Sequence, residues 1–206
     1  MDILISDFIE RLSSSSPTPG GGSVTALLGA FSSSLTMMVG NLTYGKKKYE
    51  EAWDKAKEVI DEAKNLNEEF LLLFYEDMEA FTKLLASFSL PRETEEEKKR
   101  REEEIEKATK KAIEVPLKVM EKSKKCLELT LIMAKIGNLN AISDVGIAGE
   151  IAFSACKSAS FNVLINLKFL KDSEYSLEIE KRQREILDEV RALKEEIESI
   201  VIKKIK

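Results

Sequence analysis

Ser16-Pro17-Thr18-Pro19-Gly20-Gly21-Gly22-Ser23 runs straight into a charge-free stretch, Val24 to Thr43, and the choice of fold depends on that junction. Proline lacks a backbone N–H and glycine loses the most conformational freedom on ordering, so the cluster marks a fixed turn. Ser23 supplies an N-cap oxygen. Behind it Ala26, Leu27, Leu28, Ala30, Phe31, Leu35, Met37, Met38 and Val39 give the composition of a buried helix, Ser23 to about Thr43. A glycine-rich turn feeding a helix start presents free N–H groups and the positive end of the helix dipole, which favours an anionic or carbonyl-bearing ligand. The pattern is neither a P-loop nor a dinucleotide fingerprint, since it lacks the lysine of the first and follows a helix rather than a strand. A helix–helix connection whose glycines permit close packing reads the same residues equally well.

On either side the apolar spacing is helical. Ile5, Phe8, Ile9 and Leu12 predict a first amphipathic helix from Asp2 to Ser13, and Gly45 ends the second helix. From Tyr49 to Phe88 one stripe persists: Trp53, Ala56, Ile60, Ala63, Asn67, Phe70, Phe74, Asp77, Phe81, Leu84 and Phe88, stopped by Pro91. Steps of three and four make this a bundle seam. Asn67 in the seam is a register-setting amide. Asp77, between Phe74 and Phe81, must be paired, protonated or hydrogen-bonded to a ligand, because a bare carboxylate inside a bundle is costly.

Thr94 to Glu97 form a capping box opening a fourth helix, whose charged first turns are a solvated face. Pro116 inside this helix predicts a kink near Ala112 and a freed carbonyl there, and Gly137 ends it. A fifth helix begins at Ser143-Asp144 and runs from Ala148 to about Leu170. Its small residues suit close packing against the second helix. After Lys171-Asp172-Ser173 comes a last helix, with Ile179, Ile186, Val190, Leu193, Ile197 and Ile200 inward, as an outer helix or a dimer arm. No stretch reads as a strand. The fold expected is all-α, an up-and-down bundle of about six helices around two small-residue helices, in one domain spanning 1–206.

Composition narrows the chemistry. The 206 residues carry no histidine, which removes the usual proton shuttle and most zinc and non-haem iron sites, so no metal is expected. A net charge of −5 argues against nucleic acid. Cys126 and Cys156, both in apolar helical contexts, offer no disulfide framework and suit a reducing cytoplasm. The N-terminus has no basic region before its apolar residues and does not read as a signal peptide. The charge-free run is long enough to raise a membrane span. Its Ser, Thr, Gly and Asn content makes a core helix the better reading, so no membrane partner is expected. Abundant Glu and Lys, with Gln183 as the single glutamine, hint at a thermophilic source.

Three segments together resemble one family. They are Ser16 to Ser23; Asp77-Met78-Glu79-Ala80-Phe81 followed by Leu90-Pro91; and Asn140-Ala141-Ile142-Ser143-Asp144-Val145-Gly146 with Phe161 to Leu167. In order and spacing they are similar to the cyclodeaminase family: the C-terminal domain of formiminotransferase-cyclodeaminase and its stand-alone relatives, which include methenyltetrahydrofolate cyclohydrolase. The resemblance implies an all-helical homodimer acting on tetrahydrofolate one-carbon derivatives, with no cofactor beyond that substrate. It implies closure of 5-formiminotetrahydrofolate to 5,10-methenyltetrahydrofolate with loss of ammonia. The alternatives are hydrolysis of the methenyl ring or a folate-binding helical protein without catalysis.

Such chemistry needs a base for the N10 proton, an acid for departing ammonia and anions beside a cationic carbon. Asp144, at a helix start, is assigned as base and cation stabiliser. Asp77, desolvated on an apolar seam, is assigned as acid. Lys110 matches a family position and is expected to contact substrate or tune an aspartate. Substrate contacts are expected from the N–H groups of the Pro19, Gly20, Gly21, Gly22 and Ser23 turn, from Ser143, and from Asn140, Asn162 and Asn166 at the pterin amide edge. Lys46-Lys47-Lys48 suits a polyglutamate tail. The turn, Asp77 and Asp144 are expected to wall one cleft.

Overall fold

The structure is a computed structural model that describes residues 4–206, and these form six α-helices and no strand. Helix α1 spans Ile5–Leu12; its expected start at Asp2 lies outside the described residues. Its apolar face is not a core face. Only Phe8 packs inward, against the Phe74 ring at 5.6 Å, while Ile5 is 73% exposed and Ile9 57%.

Helix α2, Gly21–Thr43, is the central element. It starts two residues before Ser23, because the N-cap is Gly20 with extended backbone. Its end is followed by Gly45 at φ 76°, a left-handed turn that favours glycine. Small residues let neighbours approach: Gly29 faces the Phe70 ring, and Gly40 lies against Ile60. Buried hydroxyls find partners across the bundle. Ser32 donates to the Ala148 carbonyl at 2.7 Å, and Thr36 and Thr130 share a hydrogen bond of 2.8 Å. Among the described residues α2 alone is long and apolar enough to cross a membrane. Here it is one of the four helices of the bundle, half buried along that window, and its Ser and Thr side chains are satisfied by protein.

A 3-10 turn, Lys47–Ala52, leads to α3, Trp53–Phe88, antiparallel to α2. Asn67 locks their register, its amide nitrogen donating to the Ala30 carbonyl and Ser34 Oγ, both at 2.8 Å. Helix α4, Glu95–Ile136, opens with both capping-box hydrogen bonds and returns beside α3. The ion pairs Lys122–Glu69 at 2.7 Å and Lys125–Glu62 at 2.6 Å mark that antiparallel pairing. Pro116 cannot donate to Ala112, and the freed carbonyl accepts from Asn166 Nδ2 at 2.8 Å.

Helix α5 spans Ile142–Leu167, starting one residue before the expected Ser143 and ending before the expected Leu170. Its N-cap is Ala141, so Ser143 is an exposed residue of the first turn and not a cap. Helices α2, α3, α4 and α5 make an up-down-up-down square. Helix α6, Ser173–Ile205, starts from Asp172, which caps it by accepting from the Tyr175 N–H at 3.0 Å. It is an outer helix: Ile197 and Val201 pack on Gly149 and Gly146 of α5. Lys204 Nζ donates to the Ala134 and Lys135 carbonyls near the end of α4, at 2.7 and 2.9 Å.

Candidate active site

Where α2 begins, the chain arrives through a buried Pro19 after a cis Thr18–Pro19 bond. Gly20 has no side chain with which to cap the first turn. The cap comes from another helix. Asp77 of α3 accepts from Ser23 Oγ at 2.8 Å through Oδ2, and the Ser23 backbone N–H also donates to this carboxylate. The anion drawn to the helix start is therefore the protein's own. Ser23, read from sequence as an N-cap acceptor, is instead a donor inside the first turn.

This arrangement dictates Gly22. A methyl group there would collide with the Asp77 carboxylate, so close approach, not turn flexibility, requires glycine. Two influences oppose each other on Asp77. Burial pushes its proton affinity above the ordinary carboxylate range, and the Ser23 donors pull it down; burial is the larger. Asp77 thus holds a proton more tightly than an exposed aspartate, as a general acid requires.

Gly21, exposed, faces Asn162 of α5, whose Oδ1 would lie 3.9 Å from a methyl group on that glycine. Asn162 therefore stands at the same helix start. Asn166, one turn on, has its amide nitrogen committed to the Ala112 carbonyl. Lys110 is committed too: its ammonium bridges Asp172 at 3.0 Å and Glu106 at 3.1 Å and lies 5.2 Å from the Tyr175 ring centre. Its hydrogen bond to Asp172, then that to Glu106, raises its pKa. It lines a groove of about 940 Å³ between α3 and α4. That groove opens on a different face of α3 from Asp77, and its lysines alternate with Glu103, Glu104, Glu106 and Glu114.

Asn140, Ser143 and Asp144 are elsewhere. Asp144 and Asn162 lie on the one helix α5, 162 − 144 = 18 residues apart, which is about 27 Å of helix. The expectation of one cleft within the chain is corrected here: the turn, Asp77 and Asn162 occupy one end of the bundle, and Asn140, Ser143 and Asp144 the other. Lys46-Lys47-Lys48 follows the Thr43 end of α2 and is likewise remote from Asp77.

A network unanticipated from sequence organises that second end. Tyr49 Oη donates to Asn138 Oδ1 at 3.2 Å and accepts from the Leu139 N–H at 3.0 Å. The Asn138 N–H donates to Thr43 Oγ1, and its Nδ2 to the Leu42 carbonyl, both at 2.8 Å. Asn138 Oδ1 also accepts from the Asn140 N–H at 3.0 Å, fixing the 3-10 turn Leu139–Ala141 that delivers Asp144. The one sequence signal for it is an asparagine at a helix–helix connection, where side-chain-to-backbone bonds are common.

The sequence matches the family described as formiminotransferase-cyclodeaminase over residues 4–185. It is 39% identical to a methenyltetrahydrofolate cyclohydrolase of Methylorubrum extorquens over 201 residues, 98% of this chain and 97% of that protein. It is 30% identical to the formimidoyltransferase-cyclodeaminase of Rattus norvegicus over 191 residues, 93% of this chain and 35% of that longer protein. The crystal structure of formiminotetrahydrofolate cyclodeaminase from Thermotoga maritima superimposes with a TM-score of 0.90 at 25% identity, covering 99% of this chain and 98% of that one.

Proposed function

The chain belongs to the formiminotransferase-cyclodeaminase family, and from that membership we propose that it closes 5-formiminotetrahydrofolate to 5,10-methenyltetrahydrofolate with release of ammonia. The observation that carries this reading is Asp77, a half-buried carboxylate of raised pKa held at a helix start by Ser23. N10 attacks the protonated formimino carbon, forming the N10–C bond as the C=N pair moves onto nitrogen. A base takes the N10 proton. Asp77 protonates the amine, the C–N bond breaks, ammonia leaves, and the cationic methenyl bridge remains. The enzyme works in the cytoplasm and uses no resident cofactor.

The base is Asp144 of the partner subunit in a homodimer. Helices α2 and α5 leave apolar side chains outward: Phe31 and Met38 on one, Ile147, Phe161 and Ile165 on the other. Closing two such faces removes them from water. A two-fold axis lying across the helices sets α5 antiparallel to its mate, crossing near its middle. Each Asp144 then reaches the Asn162 and Asp77 end of the other subunit, and Asn140 and Ser143 accompany it. An axis along the helices leaves the two aspartates apart.

Hydrolysis of the methenyl ring is the second reading, favoured by the 39% identity to a protein of that name along almost its whole length. Water replaces N10 as nucleophile, and the same carboxylates serve. Ammonia release from 5-formiminotetrahydrofolate, measured beside loss of methenyl absorbance, separates the readings. Ammonia release at the higher kcat/KM is expected. Methenyl hydrolysis alone would favour the second reading, and neither activity would reject both.

A further inference from the structure

Beyond Asp77 the seam of α3 outruns its cover. Helix α2 starts opposite Asp77, and α3 continues 88 − 77 = 11 residues to Phe88, about 16 Å. Phe81, Leu85 and Phe88 on this extension remain more than a third exposed, although the sequence pattern places Phe81 and Phe88 on the inward seam. Phe169, from the segment after α5, sets its ring against Phe88 with centroids 5.9 Å apart and planes at 63°. At the outer end of the stripe Arg101 of α4 donates to the Phe88 carbonyl at 3.1 Å, and its Nε, shut off from solvent, has no hydrogen-bond partner among the described residues. An acid, a set of half-exposed aromatic rings and a guanidinium thus follow one another outward.

We infer that this stripe is the track for the aminobenzoyl-glutamate arm of the substrate, with Phe81 and Phe88 against the aminobenzoyl ring and Arg101 on a carboxylate of the glutamate tail. The inference rests on the folate reading above. The reacting carbon of such a substrate bridges N5 and N10, so a planar ring and then an anion leave it on the N10 side. That order of chemistries, reacting carbon, aromatic ring and anion, is the order Asp77, Phe81 to Phe88, Arg101. Partly exposed rings bind a planar ring through area and edge contacts, and a guanidinium binds a carboxylate through paired N–H donors. The groove between α3 and α4 is a poorer host for the tail, since Lys83, Lys107 and Lys111 there are offset by glutamates.

The test compares wild type, Phe81→Leu and Arg101→Gln on the mono- and triglutamate forms of 5-formiminotetrahydrofolate, read by ammonia release, with oligomeric state and thermal unfolding measured in parallel. Phe81→Leu is expected to raise KM for both forms by about tenfold with little change in kcat. Arg101→Gln is expected to raise KM about tenfold for the triglutamate and less than about threefold for the monoglutamate. Unchanged KM values in both folded variants overturn the track while leaving the folate reading intact. Dissociation of the assembly by Phe81→Leu also overturns it, because the stripe is then a subunit contact. A wild type that neither binds nor converts either form removes the folate reading and the track together.

Discussion

At its Gly21 end α2 meets a carboxylate whose donors among the described residues come from Ser23, while at its Thr43 end it meets Asn138, tied to Leu42, Thr43, Tyr49 and Asn140. One end keeps a polar group partly uncompensated in a desolvated place; the other satisfies a connection completely. The first arrangement stores chemical potential in a raised proton affinity, and the second stores stability in closed hydrogen bonds. The closed network fixes the turn from which α5 starts, so Asp144 in the first turn of α5 is held on a rigid base.

Two glycines on α2 break this comparison most directly. Gly22→Ala pushes a methyl group into the Asp77 carboxylate and is expected to lower kcat/KM by more than about a hundredfold, with a stability cost of about 1–2 kcal/mol. Gly40→Ala presses instead on Ile60 at the sealed end, and costs about 1–3 kcal/mol of stability with turnover per folded molecule unchanged. Activity and urea unfolding of the pair separate a site glycine from a packing glycine.

Asn138→Ala removes the hub of the seal. It leaves the Leu139–Ala141 turn unpinned, and a loss of about 2 kcal/mol in chemical unfolding is expected. A loss below a few tenths would mean that water replaces the asparagine without penalty.

The smallest effect is on the pH dependence of stability. Because Asp77's pKa is raised in the fold, folding favours its protonated form. That contribution is complete below the ordinary carboxylate pKa and is lost as pH rises through the raised one. Asp77→Asn removes this loss, so its Tm should exceed that of wild type at neutral pH and approach it in acid. A difference that grows on acidification would contradict the burial argument.

Much of the bundle was legible in the sequence because its signals are local or periodic. The Thr94 capping box, the α3 seam as far as Phe74, the register amide Asn67 and the carbonyl freed by Pro116 depend on spacings within one helix, and the structure contains each. What escaped depends on partners distant along the chain. Ser23 meets Asp77 across 54 residues, and that contact, not any local rule, makes Gly20 the N-cap and Gly22 a necessity. Phe81 and Phe88 fit the seam pattern but lie past the end of α2, which a pattern along α3 alone cannot reveal. The separation of Asp77 from Asp144 was in principle deducible. In an up-down bundle the turns at the two ends of α4 lie at opposite ends of the molecule, with Asp77 near one and Asp144 near the other.

Subunit mixing tests the shared site most directly. Asp77→Asn and Asp144→Asn chains, each expected to be inactive alone, are unfolded, combined in equal amounts and refolded together. If each site draws Asp77 from one subunit and Asp144 from the other, half of the dimers carry one intact site, and about a quarter of wild-type turnover returns. Mixed dimers that form but recover no activity would contradict a site built from both chains.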